Sequence, residues 1–168
     1  MSDEMKVQPF DVLLRWIVKE FNENTELLYF SCCTPAYDKR VQSVARATSQ
    51  ILTRLGVDFG ILGPKEVCCG ESVRKAGNEQ LFKHLAKENI KTFIDNGVHK
   101  ILVSSPHCYH TFKNEYAEFM VNFEVVHMSE FLSELIDAGR LPLKKNLGKR
   151  VTYHDPCYMG SHNDVYEE

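Results

Sequence analysis

At 168 residues, 43% hydrophobic and 26% charged, the chain is long enough for a single domain and ordinary in composition for a globular protein with a core. Its formal charge of -3 gives no support to a nucleic-acid or anionic-membrane partner. No apolar run approaches the ~20 residues of a membrane helix, and Met1-Ser2-Asp3-Glu4 lacks the basic-then-apolar opening of a secretory signal. A cytoplasmic location is therefore the expectation, and six cysteines are then better read as reduced ligands than as disulfides.

In chain order, Phe10 to Phe21 carries apolar residues at helical spacing (Phe10, Leu13, Leu14, Ile17, Val18, Phe21), with Trp16 as a packing residue on it. This N-terminal helical segment is assigned to residues 1–25. Leu27 to Ser31 is a short apolar, aromatic-rich run, predicted as a buried strand. Asp38 stands in the loop after it, able to cap the next helix. That helix is expected from Val41 to Leu55, with Val41, Val44, Ala45, Thr48, Ile51, Leu52 and Leu55 on one face and Gly56 as its stop. Val57 to Leu62 reads as a second strand. Helix is expected from Glu71 to Asn96, broken near Gly77-Asn78, with Leu81, Phe82, Leu85, Ile90, Phe93 and Ile94 as its core stripe. Lys100 to Ser104 is a third strand, and Pro106 opens a helix from about His107 to Phe119, on which Lys113 and Glu115 look like exposed surface. Phe123 to His127 is a fourth strand, Ser129 begins a helix that closes at Gly139, and Arg150 to Tyr153 is a fifth strand.

Strands that alternate with helices predict an α/β fold, a parallel, Rossmann-like sheet with helices on both faces. Ligands in such sheets gather beyond the carboxyl ends of the strands. Cys33 and Cys108 each follow a predicted strand, and Cys68-Cys69 follows the second strand by a short loop. Thiolates repel one another, so gathering four of them is favourable only when a cation or cluster neutralises their charge. Glycine after the vicinal pair allows positive φ and a close backbone approach. Cys33, Cys68, Cys69 and Cys108 are therefore the candidate metal ligands, for zinc or an iron–sulfur cluster. Ligands spread this widely differ from the close pairs usual in structural zinc sites. Gly60 and Gly63 make no G-x-G-x-x-G fingerprint, and the chain shows no phosphate loop or Ser/His/Asp signature.

The pattern is Cys33, 34 residues, Cys68-Cys69-Gly70, 34 residues, then Ser105-Pro106-His107-Cys108. It resembles the cysteine-rich CCG domain of heterodisulfide reductase subunits and of the iron–sulfur subunits of glycolate, lactate and glycerol-3-phosphate oxidoreductases. Tyr29-Phe30 before Cys33 and Lys113-Asn114-Glu115-Tyr116 after Cys108 extend the likeness. The resemblance implies a [4Fe–4S] cluster, in some relatives a noncubane one on five cysteines and in some zinc. Of those ligands, Cys33, Cys68, Cys69 and Cys108 match four.

Two positions depart from the pattern. Ser105 stands where the fifth cysteine belongs, and its hydroxyl is a poor ligand for soft iron. Cys32 stands where the resemblance suggests glycine; it is read first as a small buried residue, with a ligand role as the lesser alternative. His107 and His110 flank Cys108 and are candidates to donate a hydrogen bond to a cluster sulfur. His154-Asp155-Pro156-Cys157 looks like the start of a second, truncated copy over residues 150–168, following a first CCG domain over residues 26–149. Cys157 is then a ligand of that second site, and the chain is expected to be a fragment of a longer protein.

By this resemblance the chain is an iron–sulfur electron-transfer subunit of a heterodisulfide-reductase-like oxidoreductase. It would exchange electrons with a ferredoxin-type or flavoprotein partner and with a disulfide, quinone or other carrier, and could sit peripheral to a membrane through its partners. The alternative is a zinc-binding or metal-free assembly module.

Overall fold

A computed structural model describes residues 18–146 and 148–166. Four parallel strands, β1 (Leu27–Phe30), β2 (Phe59–Gly60), β3 (Lys100–Val103) and β4 (Glu124–His127), form one sheet in the order β2-β1-β3-β4. Leu28 aligns with Gly60 on one side and Ile101 on the other, and Val103 lies between Phe30 and His127. Among the described residues seven α-helices accompany them: α1 (Cys33–Tyr37), α2 (Gln42–Arg54), α3 (Glu71–Lys75), α4 (Glu79–Asp95), α5 (Pro106–His110), α6 (Met128–Asp137) and α7 (Gly160–Asn163).

All four residues of β1 are buried, because the strand is covered on both faces. Leu28, Phe30, Ile101 and Val103 point to one side, against Phe82, Ala86, Ile90 and Phe93 of α4 and against Phe112 and Tyr116. Leu27, Tyr29 and Leu102 point to the other, against Ala45 and Leu52 of α2 and Met128 of α6. Each large side chain buried this fully contributes roughly 1.5–3 kcal/mol. Phe30 and Phe112 meet edge to face with centroids 4.8 Å apart, and Phe93 meets Phe112 at 5.6 Å. These contacts tie the end of β1 to the segment after α5. The break between α3 and α4 falls where expected: Gly77 has φ +85°, and the Asn78 side chain accepts the Leu81 N–H at 3.1 Å.

The strand order reverses between β1 and β3. From β1 the chain crosses by α2 to β2 on one side, then returns past β1 by α3 and α4 to β3 on the other. At such a reversal the loops leaving the carboxyl ends of the two central strands diverge and leave a crevice. The loop after β1 carries Cys32 and Cys33, and the loop after β3 leads to Cys108.

Several expectations are corrected. The helix expected over Phe10–Phe21 falls mostly outside the described residues, as does Trp16. Its described end, 18–21, is not helical but extended along β2. Glu20 bridges Ile61 in parallel, with Phe21 N–H on Ile61 O at 2.8 Å. An open sheet edge satisfied by backbone pairing outweighs a short helical periodicity there. Arg150–Tyr153 forms no strand; Val151 and Tyr153 are 80% and 78% exposed, and no neighbouring strand pairs with them. Val44 and Ile94 face outward, because the buried stripe of α2 runs through Ala45, Thr48, Ser49 and Leu52, and that of α4 through Phe82, Ala86, Asn89, Ile90 and Phe93. The Asp38 carboxylate binds Arg40 instead of capping α2, whose N-cap is Val41 with no side-chain cap. The helix expected from His107 to Phe119 is α5 followed by a π-helical turn (Thr111–Glu115) and a 3-10 turn (Tyr116–Phe119). The wider π turn shifts the helical face. Glu115 is consequently buried, with Lys75 at 3.3 Å and Arg74 at 3.8 Å, whereas Lys113 stays exposed.

Candidate metal centre

The crevice at the strand reversal gathers sulfur. Cys33 Sγ lies 3.9 Å from Cys68 Sγ, and Cys69 Sγ lies 3.4 Å from Cys108 Sγ. The three loops thus bring together the four cysteines singled out by spacing. Cys32 joins them, its Sγ 3.3 Å from that of Cys108. All five are free thiols, Cys32, Cys69 and Cys108 buried and Cys33 and Cys68 half-buried. Among the described residues no group of three or more His, Cys, Asp or Glu side chains is already arranged to hold a metal ion. The thiols form a chain of neighbours instead.

Local sequence explains how each thiol is aimed. Apolar β1 ends at Phe30, and the chain then leaves the sheet edge with Cys32 at φ 75°, ψ 157°. At Gly70 φ is +91°, and a Cβ there would stand 2.9 Å from Phe82 Cδ2, so glycine is required on both counts. Gly70 is also the N-cap of α3, and its N–H donates to Cys68 Sγ at 3.5 Å. Pro106 opens α5 at a position where a missing N–H costs nothing, which sets Cys108 in the first turn.

Glu66 and Asn89, which the sequence did not single out, and Tyr116, named there only for the family likeness, hold these loops. Glu66 Oε1 accepts the Cys32 N–H at 2.9 Å and the Ser31 hydroxyl at 3.0 Å, and Oε2 accepts the Ser31 N–H at 3.3 Å. Asn89, fully buried on α4, donates from Nδ2 to Cys68 O at 3.1 Å, to Val67 O at 3.3 Å and to Tyr116 Oη at 3.1 Å. The Tyr116 hydroxyl donates in turn to Cys69 O at 3.1 Å. The backbone on either side of the vicinal pair is therefore fixed from inside the core. The signal for Asn89 lies in its position, seven residues after Phe82 and four before Phe93 on the apolar stripe, where a polar side chain needs a buried partner.

Packed this closely, the thiols cannot all ionise independently. Contacts from Cys108 and Cys68 draw Cys69 below the ordinary thiol value in spite of its burial. Cys108 is held well above it by its contacts with Cys32 and Cys69 and by burial. Cys68 stands at about 11: the contact with Cys33 lowers it, but the contact with Cys69 and burial outweigh that. Thiolate ligands must be deprotonated, so loading such a site releases protons. Burial pushes the Glu66 carboxyl up to about 8, against the hydrogen bonds from Cys32 and Ser31.

The remaining candidates lie to one side. Ser105 is half-buried and extended at φ -108°, makes no side-chain cap, and accepts the Tyr109 N–H on its carbonyl at 3.0 Å. His107 and His110 both pack against Tyr158, with centroids 5.1 Å and 4.6 Å from its ring. Tyr158 reaches Glu71 Oε1 through its hydroxyl at 2.7 Å, and Met159 is buried in the α4-side core, so the segment after Cys157 packs on the first sheet. Cys157 itself is exposed and outside the group of five.

A parallel sheet whose central crevice collects buried thiols from three loops defines a cysteine-rich α/β domain with the donor set of a metal or iron–sulfur centre. Comparison with known proteins agrees. The chain matches the CCG cysteine-rich domain over residues 27–113, just over half its length, and belongs to that family. It is 42% identical to the EtfAB:quinone oxidoreductase of Syntrophomonas wolfei over 99% of this chain and 23% of that protein. It is 41% identical to the "Probable iron-sulfur-binding oxidoreductase FadF" of Bacillus subtilis, over 89% of this chain and 21% of that protein. A third relative is one subunit of the dihydromethanophenazine:CoB--CoM heterodisulfide reductase of Methanosarcina acetivorans. The two are 35% identical, over 92% of this chain and 39% of the relative. The chain thus spans from about a fifth to two fifths of the length of these relatives. No solved structure matches it significantly. Among the described residues no helix is long and apolar enough to cross a membrane.

Proposed function

We propose that this chain is the electron-transfer domain of an iron–sulfur oxidoreductase related to heterodisulfide reductase and quinone oxidoreductases. Its cluster is held by the thiolates of Cys33, Cys68, Cys69 and Cys108. The observation that carries this reading is the convergence of those sulfurs, from three separate crossovers, at the strand reversal. The names of the relatives, an iron–sulfur-binding oxidoreductase and a heterodisulfide reductase subunit among them, point the same way. A vicinal pair with ligands spread over three loops suits a centre with several metal atoms better than one tetrahedral ion.

An iron–sulfur cluster accepts and returns single electrons. The protein's part is to bury the sulfurs, fix their loops through Glu66, Asn89 and Tyr116, and keep one side of the centre near the surface, where Cys33 and Cys68 are half-buried. A ferredoxin-type or flavoprotein partner exchanges electrons at that side, and a disulfide, quinone or other carrier is the further acceptor or donor. Residues 150–168 are the opening of a second copy of the domain, with Cys157 as its first ligand.

Iron, sulfide and zinc analysis of anaerobically purified chain tests this. The expected protein is brown, with broad visible absorbance and stoichiometric sulfide, and Cys69→Ala loses both. Colourless protein carrying one zinc overturns the reading in favour of a zinc assembly module; iron and sulfide retained by Cys69→Ala overturn the ligand set.

A further inference from the structure

Cys32 adopts a backbone conformation, φ 75° and ψ 157°, that is essentially reserved for glycine. A side chain in that region is strained and persists only where its surroundings over-determine it. Here they do. Glu66 Oε1 grips the Cys32 N–H at 2.9 Å, and the same carboxyl holds both the N–H and the hydroxyl of Ser31. A position that served only to turn the chain would be filled by glycine at no steric cost. What cysteine adds is a sulfur, 4% exposed as a residue and 3.3 Å from Cys108 Sγ.

That sulfur also extends the group. The sulfur contacts run from Cys33 to Cys68, from Cys69 to Cys108 and from Cys108 to Cys32, and the two pairs Cys32-Cys33 and Cys68-Cys69 are each consecutive in the chain. Without Cys32, Cys108 would meet the others through Cys69 alone. We infer that Cys32 is a fifth thiolate ligand of the metal centre, its strained backbone retained because it delivers sulfur to the Cys108 side of the group. The inference rests on the proposed iron–sulfur function. To hold a cluster without redox change, Cys32 would have to act as a thiolate, its Sγ proton released as the metal is loaded.

The test reconstitutes the full chain anaerobically with iron and sulfide, as wild type, Cys32→Gly and Cys32→Ser. Iron and sulfide per chain, the electron paramagnetic resonance spectrum of the reduced protein, and the melting temperature of the metal-free protein are read together. Cys32→Gly is expected to melt at or above wild type when metal-free, because glycine relieves the strain, yet to lose most of its iron or change its resonance spectrum. Cys32→Ser keeps the size and the strained Cβ but offers a poorer iron ligand. It is expected to melt as wild type and to show the same spectral change. Wild-type iron, sulfide and spectrum in Cys32→Ser overturn the inference alone, whatever the stability of the glycine variant. A wild-type chain that takes up no iron overturns the proposed function and this inference with it.

Discussion

Glu66 and Cys32, 34 residues apart, are joined by a 2.9 Å hydrogen bond from the Cys32 N–H to the Glu66 carboxyl. The bond crosses from the loop before the vicinal cysteines to the loop that leaves β1, so it sets the spacing of two ligand-bearing segments directly. Glu66→Ala would leave the buried Cys32 N–H without a partner, at a cost of about 1–3 kcal/mol. Chemical denaturation of the metal-free protein measures that loss. Glu66→Gln keeps an acceptor oxygen and is expected to lose less. Equal stability of wild type and Glu66→Ala would show that the bond does not hold the loop.

Asn89 performs the matching task for the vicinal pair from the helix side. Replacing it with leucine, of similar size, leaves the carbonyls of Val67 and Cys68 without their buried donor and the Tyr116 hydroxyl without one of its contacts. The expected cost is again roughly 1–3 kcal/mol, since an unsatisfied buried acceptor costs its full desolvation. Iron retention should fall as well, because the Cys68 and Cys69 backbone loses its anchor. A leucine variant with wild-type stability and iron content would sink this account.

Ser105 offers a complementary experiment. It lies three residues before Cys108, half-buried, in extended backbone that any residue adopts. Ser105→Cys adds one soft donor at little steric cost and is expected to keep or raise iron content on its own. In a Cys32→Gly background the same change should recover iron that Cys32→Gly loses. No recovery in the double variant would mean that position 105 does not face the centre.

Much of the scaffold was legible in the sequence because the signals were local. The apolar runs at Leu27–Phe30 and Lys100–Val103 are strands, Gly77-Asn78 interrupts the helix where glycine and a capping asparagine said it should, and Gly70 has the positive φ expected beside the vicinal thiols. Pairing and tertiary contact were not legible. The stretch ending at Phe21 has helical periodicity, yet its described end lies along β2, a choice made by an unpaired sheet edge 40 residues away. Glu115 looks like surface in the sequence and is turned inward by a π-helical turn that no periodicity announces. Cys32 shows the limit most clearly. The sequence favours a small buried residue there, and only its φ and its distance to Cys108 reveal where the sulfur goes.

His127, at the carboxyl end of β4, makes stability depend on pH. Its Nδ1 accepts the Ser129 N–H at 3.3 Å at the start of α6, and the Glu130 carboxylate accepts the His127 N–H at 2.7 Å, a reciprocal cap. Only the neutral ring can accept at Nδ1. Burial lowers its pKa in the folded state, against the opposing pull of the Ser104 backbone and of the Glu130 charge; the Tyr109 ring packs beside it. The unfolded chain therefore binds the proton more readily, so the contribution is present above the ordinary histidine value of about 6.5 and is lost as pH falls toward the lower folded value. His127→Asn supplies a cap that does not titrate. It is expected to weaken the fall in melting temperature of the metal-free protein between about pH 6.5 and pH 5 while leaving stability near pH 8 close to wild type. His110, whose pKa burial also lowers, should leave a residual slope in that variant. Identical pH profiles for the two proteins would remove His127 from the account.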